Sequence, residues 1–214
     1  MLLALAVVGS GIAAQNLSGS NAGEELGINA AATALALFVI IAVFAPVSGA
    51  HLNPVISLVD LVLGRRHWLD VAAYIPAQIV GCVAGTILAN VLFAVPAVSL
   101  SSNDRLSWPH LLSEAVATAG LVLVVFGLSK SGYERFVAGV VGAYIGAAYF
   151  FASSTSFANP AITIGRMFTN SFSGIAPAAG AGFIAAQLVG GALGLGLVVG
   201  LFGTRSTRSS KVPE

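Results

Sequence analysis

The sequence predicts an all-α membrane protein: six transmembrane helices and two re-entrant half-helices in an inverted repeat, the first helix truncated at its start. Three observations carry this. The 214 residues are 57% apolar with a mean hydropathy of +0.94, and only 8% are charged, far from soluble-domain usage. Two apolar stretches too short to cross a bilayer each contain Asn-Pro, at Asn53-Pro54 and Asn159-Pro160. The chain on either side of those stretches repeats itself.

Taken in order, Met1 to Ala14 is apolar but shorter than the ~17–25 residues of a spanning helix. It has no basic leader and no cleavage site before Gln15, so it reads as the end of a first helix that starts upstream, not as a signal peptide. Gln15 to Leu26 reads as a polar loop and Gly27 to Val47 as a full span. Ser48 to Leu63 is the first short segment, closed by Gly64-Arg65-Arg66-His67. Val71 to Val95 spans, Pro96 to Pro109 is a loop, and Leu111 to Leu128 spans despite Glu114. Ser129 to Arg135 is a tight polar turn, and Phe136 to Ala152 spans again. The second short segment follows, around Asn159. Ala178 to Phe202 is the last span, and 203–214 is a polar tail.

Each Asn-Pro reads as a helix start. The Asn side chain accepts a backbone N–H as N-cap, and Pro presets φ at a position that needs no N–H. A start inside the bilayer aims unpaired N–H groups and a partial positive charge of roughly half a unit into low dielectric. One such start would pass for a capped surface helix; a second in the other half of the chain points elsewhere.

The halves, approximately 1–95 and 109–202, match around Ala77-Gln78-Ile79-Val80-Gly81 and Ala186-Gln187-Leu188-Val189-Gly190, offset by 109 residues (78 to 187). The Asn-Pro pairs are offset by 106 (53 to 159). An odd number of spans per half inverts the second copy. The small residues in these spans suit close helix approach. Arg65, Arg66, Lys130, Arg135, Arg205, Arg208 and Lys211 fall on one side of this topology, and Arg105 and Arg166 on the other. The positive-inside rule then places both termini in the cytoplasm, in a multi-pass cell-membrane protein.

The two half-helices enter from opposite faces, so their N-termini meet near the midplane. Irregular backbone there must be buried in protein or line a water-filled cavity. The carbonyls leading to each Asn, and the Asn NH₂ groups, then serve as acceptors and donors along a pore. Two positive helix ends facing each other repel cations while admitting neutral polar solutes.

Other chemistries find little support. A net charge of +1 suggests no nucleic-acid partner. Cys82 is the sole cysteine, and His51, His67 and His110 lack metal-ligand spacing, so no metal, cofactor or internal disulfide is expected. Ser48, Ser153, Ser154 and Ser156 have no histidine or acid at a telling spacing, which argues against an enzyme. A secondary transporter with broken helices and a midplane site is the alternative. It needs an ion-coupling acid there, and only Glu114 is available.

At these residues the sequence resembles the major intrinsic protein family, the aquaporins and aquaglyceroporins. Ser48-Gly49-Ala50-His51-Leu52-Asn53-Pro54-Val55 is similar to its first asparagine-proline-alanine loop, with Val55 in place of alanine. Asn159-Pro160-Ala161 matches the second loop. The resemblance implies a passive channel for water and small neutral solutes, working as a homotetramer in the lipid bilayer. His51 and Glu114 are then loop supports, Glu114 holding loop backbone and not relaying protons.

The resemblance also implies a four-residue filter. Counted by offset from the two asparagines, its positions fall on Thr33, Ala147, Ser156 and Ile162. The last is normally arginine, a fixed charge and hydrogen-bond donor. Isoleucine there, with three small partners, implies a wider and less cationic constriction that passes glycerol-like polyols or metalloid acids such as arsenite. Such a filter resembles bacterial members linked with arsenic resistance. Arg166 lies one helical turn further on, where snorkelling or pairing at the outer surface is expected of it.

Overall fold

The computed structural model describes residues 1–19 and 21–203. The tail expected from 203 onward, with Arg205, Arg208 and Lys211, lies outside the described residues except for Gly203. Among the described residues the chain forms α1 (Leu2–Leu17), α2 (Ala22–Ser48), α3 (Pro54–Val62), α4 (Trp68–Leu92), α5 (Trp108–Lys130), α6 (Val137–Phe151), α7 (Pro160–Arg166) and α8 (Pro177–Phe202). A 3₁₀ turn, Glu134–Phe136, leads into α6.

Four helices, α2, α4, α5 and α8, are long and apolar enough to cross a membrane. The other two expected spans are shorter, 16 residues in α1 and 15 in α6. The half-helices α3 and α7 have nine and seven residues. Large apolar side chains such as Leu35, Val47, Phe150 and Leu193 point outward, while Asn29, Thr86, Asn90, Glu114 and Gln187 are buried. A bundle with large apolar side chains on its outer surface and these polar ones buried within its apolar core has its surface matched to lipid, where water would penalise it.

The loop expected over Gln15 to Leu26 is much shorter, because both flanking helices run into it. Asn21 caps α2 by accepting from the Gly23 and Glu24 N–H groups, at 3.1 and 3.3 Å. Glu24 and Glu25 then fall in the first turn, where negative charge suits the helix dipole. Polar residues read as loop are thus a helix start.

Helix neighbours reproduce the inverted repeat. In the first half α1 packs on α2 and α4, and α3 on α4; in the second α5 packs on α6 and α8, and α7 on α8. The halves join through α2 against α6, and each half-helix reaches across, α3 to α8 and α7 to α4. Arg65, Arg66, Lys130 and Arg135 collect at one end of the bundle, the basic face. Arg105 lies in the connection at the far face.

Glycines set the closest approaches. A Cβ added at Gly194 of α8 would stand 2.7 Å from both Ala119 O and Val122 Cβ of α5, and one added at Gly142 of α6 would stand 2.7 Å from Ala34 O of α2. In lipid, where apolar burial does not drive helices together, such contact of backbones supplies the packing. Gly194→Ala is therefore expected to cost about 1–3 kcal/mol through overpacking and to lower the melting temperature in detergent. Gly196→Ala, where an added Cβ meets nothing within 4 Å, serves as the control and should melt like the parent. Equal melting of all three proteins would show that this contact is not limiting.

Candidate functional site: the paired half-helices and the cavity between them

Each Asn-Pro builds its helix start as capping chemistry dictates. Asn53 Oδ1 accepts from Val55 N at 2.9 Å, and Asn159 Oδ1 accepts from Ala161 N at 3.0 Å and Ile162 N at 3.3 Å. Pro54 and Pro160 occupy the first helical position. The other end of each amide ties the two starts together. Asn53 Nδ2 donates to Ala158 O at 2.7 Å, and Asn159 Nδ2 donates to Leu52 O at 2.8 Å. Each asparagine thus caps its own helix and holds the residue preceding the other asparagine. An NH₂ carries two hydrogens, so one N–H of each remains for a solute.

Those two carbonyls are presented by unusual backbone. Leu52 and Ala158 have φ of +54° and +47°, and two residues earlier Ala50 and Ser156 have +46° and +50°. The left-handed positions repeat at the 106-residue offset of the motifs. Side-chain-bearing residues held there cost of order 1–3 kcal/mol each and persist only where the surroundings over-determine them.

For the second loop the surroundings are Glu114. Its carboxylate accepts from Phe157 N and Ala158 N, both at 2.8 Å, and from Ser154 Oγ and Gln187 Nε2, both at 2.6 Å. Gln187 Nε2 also reaches Thr163 Oγ1 at 2.9 Å, and Thr163 Oγ1 donates to Asn159 O at 2.9 Å. A buried carboxylate with four donors is satisfied as a charge and has no spare lone pair aimed at a proton path.

The first loop is held differently. His51 Nδ1 lies 3.0 Å from Ser57 Oγ, and its Nε2 lies 3.2 Å from Asp60 Oδ2. Asp60 is flanked by Arg65 Nε at 3.3 Å and Arg66 Nε at 3.4 Å, while Arg66 Nη2 and Tyr74 Oη both donate to Ser48 O, at 3.0 and 2.9 Å. Gln78 Nε2 donates to Ser57 Oγ at 3.0 Å, as Gln187 does to Thr163. Sequence comparison of the halves paired the two glutamines but gave them no task. Their polarity inside an otherwise apolar repeat was the available signal.

A cavity of about 820 Å³ runs past both asparagines. At the basic face it is lined by Asp60, Arg65, Arg66, Glu134 and Arg135, and toward the far face by Thr33, Tyr149, Ser156, Phe157, Ile162 and Arg166. Three of the four expected filter residues, Thr33, Ser156 and Ile162, line it. Ala147 does not: it is exposed on the outer side of α6. The α6 wall is Val141, Ile145 and Tyr149, in steps of four, and Ala147 lies two residues from the nearer pair, roughly 200° around the helix. Counting from Asn159 through the irregular 152–159 connection misjudged the helix phase.

Tyr149 therefore stands where a small residue was expected. Its hydroxyl lies 3.1 Å from Thr33 Oγ1, linking α6 to the neighbouring α2 in the cavity wall. Ser156 Oγ is buried and has no hydrogen-bond partner in the protein. Arg166 departs further from expectation. It is 1% exposed, its Nε donates to Ser173 O, and its Cζ stands 3.4 Å from the centroid of the Phe157 ring. It turns inward and does not reach the outer surface. Arg105 braces the same region from the far-face connection, donating to Gly174 O at 2.8 Å and Phe172 O at 2.6 Å. Burial lowers its pKa, with the Tyr149 and Glu114 charges opposing that shift.

Two half-helices capped nose to nose inside a lipid-facing bundle, with a cavity running past their junction, define an integral-membrane channel. The major intrinsic protein family model matches residues 1–158, and the chain belongs to that family. It is 45% identical over 197 residues to the aquaglyceroporin AqpS of Rhizobium meliloti (strain 1021), covering 92% of this chain and 84% of that one. It is 32% identical over 176 residues to the probable aquaporin TIP1-2 of Oryza sativa subsp. japonica, covering 77% and 69%. The fold is shared with the X-ray structure of the aquaglyceroporin from Plasmodium falciparum, at a TM-score of 0.70 and 23% identity over 92% of this chain and 90% of that one.

Glu114→Gln keeps the shape of the buried side chain but replaces one acceptor oxygen with an NH₂ facing donors. It is expected to cost roughly 2–4 kcal/mol, since hydrogen bonds to a charged group are lost and a buried N–H is left unpaired. Thermal unfolding in detergent reads this directly. An unchanged melting temperature would contradict the assignment of loop strain to this carboxylate.

Proposed function

We propose that this protein is a passive channel for water and for larger neutral solutes, glycerol-like polyols and metalloid acids such as arsenite among them. The observation that carries the reading is the composition of the cavity wall around the asparagine pair. Leu37, Ile41, Leu121, Val125, Val141 and Ile145 make one side apolar, while Asn53, Asn159 and the loop backbone make the other polar. A polyol has the same two sides, with C–H groups along one and hydroxyls along the other. It can keep its hydrogen bonds on the loop side while its carbon chain slides along the helices. A narrow, uniformly polar pore would favour water alone.

The site residues fall into roles on this reading. Asn53 and Asn159 are the central donors, positioned by Pro54-Val55 and Pro160-Ala161. Thr33, Ser156 and Ile162 belong to the outer constriction, and Tyr149 takes the place first given to Ala147. Ile162 offers no donor directly after the motif, where the family's arginine stands, and Ser156 contributes a hydroxyl with no protein partner. His51 and Glu114 hold the loops. The relatives named as aquaglyceroporins support the solute class. One chain forms one channel unit, assembled as a homotetramer in a bacterial inner membrane with the basic face and both termini in the cytoplasm.

Stopped-flow light scattering on proteoliposomes tests the reading. Water and glycerol are both expected to permeate well above bare lipid, without saturation and without dependence on a proton or sodium gradient. Water flux with glycerol at the lipid background would overturn the polyol assignment. Saturable, gradient-dependent flux would favour a transporter.

A further inference from the structure

We propose that Arg166 is the charge of the outer constriction, delivered from one helical turn beyond the position at which the family carries it. The inference rests on the channel reading above. Arg166 Cα lies about 6 Å further along α7 than Ile162 Cα, at 1.5 Å per residue. Side chains of a helix lean toward its N-terminus, so a long residue at i+4 covers the turn that holds residue i. A guanidinium starting at 166 is therefore carried back toward the level of Ile162. Its contacts agree. The Cζ lies over Phe157, two residues before Asn159, and Arg166 lines the far end of the cavity with Tyr149, Thr33 and Ser156.

The group is also fixed in place. Phe157 presents its ring face to the guanidinium and is braced edge-on by Phe183 at 5.1 Å, and Nε is anchored on Ser173 O. Phe172 O and Gly174 O, on either side of that carbonyl, accept from Arg105. A second arginine thus stiffens the same strand of loop. A stacked guanidinium with one edge tied to backbone keeps its remaining N–H groups for the cavity side. A fixed positive charge in a narrow, low-dielectric passage raises the barrier for protons and metal cations while leaving neutral solutes nearly unaffected. Isoleucine after the motif then changes where donors meet the solute, without opening the pore to cations.

The experiment uses proteoliposomes carrying the full chain or its Arg166→Gln, Arg166→Lys or Ile162→Arg/Arg166→Gln variants. Water and glycerol flux are followed by light scattering. Proton leak is followed by an internal pH dye under a potassium diffusion potential. The parent is expected to be tight to protons. Arg166→Gln should still pass water and glycerol above bare lipid and leak protons at least about tenfold faster than the parent, a modest demand on the repulsion of a unit charge. The double variant should be tight again. Arg166→Gln that passes solutes and stays tight would overturn the proposal. Should Arg166→Gln fail to fold, Arg166→Lys decides: its leak should be low at neutral pH and rise as the lysine deprotonates, a profile the parent lacks, and a flat profile would overturn the proposal. Parent liposomes no more permeable to water and glycerol than bare lipid would overturn the channel reading and this inference together, before any variant is measured.

Discussion

Everything in this molecule depends on meeting two helix N-termini inside the bilayer. Each start leaves backbone N–H groups without intrahelical partners, and lipid offers none. The solution is reciprocal. Asn53 and Asn159 each spend the amide oxygen on their own helix and one N–H on the carbonyl before the other asparagine. Each cap is local, but the amide nitrogen of each asparagine and the carbonyl before it are satisfied across the junction, so docking of the two halves completes both loops. The fixed junction also leaves a second N–H on each asparagine beside the cavity, so the bond that closes the fold also places polar groups in its wall.

The two loops solve the same backbone problem with different chemistry. Both carry left-handed residues at matching positions, and both use a glutamine on the following helix to steady a hydroxyl one turn into the half-helix. The second loop is then anchored by a fully buried carboxylate that sees only neutral donors. The first is anchored by Asp60 among His51, Arg65 and Arg66, close to the exposed basic face. The difference follows from depth. A lone carboxylate deep in the bundle is tolerable when four donors surround it, whereas counter-charges long enough to reach water are at hand near the surface.

What could be read from the sequence was whatever depends on local chemistry or on repetition. Asn-Pro is a helix start wherever it stands, and two of them at a near-constant offset gave the half-helices and the inverted repeat. What could not be read was direction around and along a helix after an irregular stretch. Ala147 and Tyr149 are two residues apart, and no periodicity in an apolar helix says which faces a cavity when both faces are apolar. Arg166 was misplaced for a related reason: its distance from Ile162 suggested the outer surface, but the backward lean of helical side chains and the Phe157 ring draw it in. The loop over 15–26 failed because Asn21 and the two glutamates are equally good as loop or as helix start, and only the neighbouring α1 decides.

Position and charge along a pore are therefore separate variables. A filter defined by residue identity at fixed alignment positions is blind to a long side chain arriving from the next turn. Arginine spans roughly the rise of one helical turn, so a guanidinium can occupy nearly the same place from residue i or from i+4, provided something receives it at the far end. Here that receiver is an aromatic face, Phe157, set in the very loop that Glu114 holds in its left-handed conformation. The carboxylate that supports the backbone thus also fixes the ring on which the cation rests. The left-handed loop backbone and the place of the Arg166 guanidinium at the far face rest on one buried hydrogen-bond network.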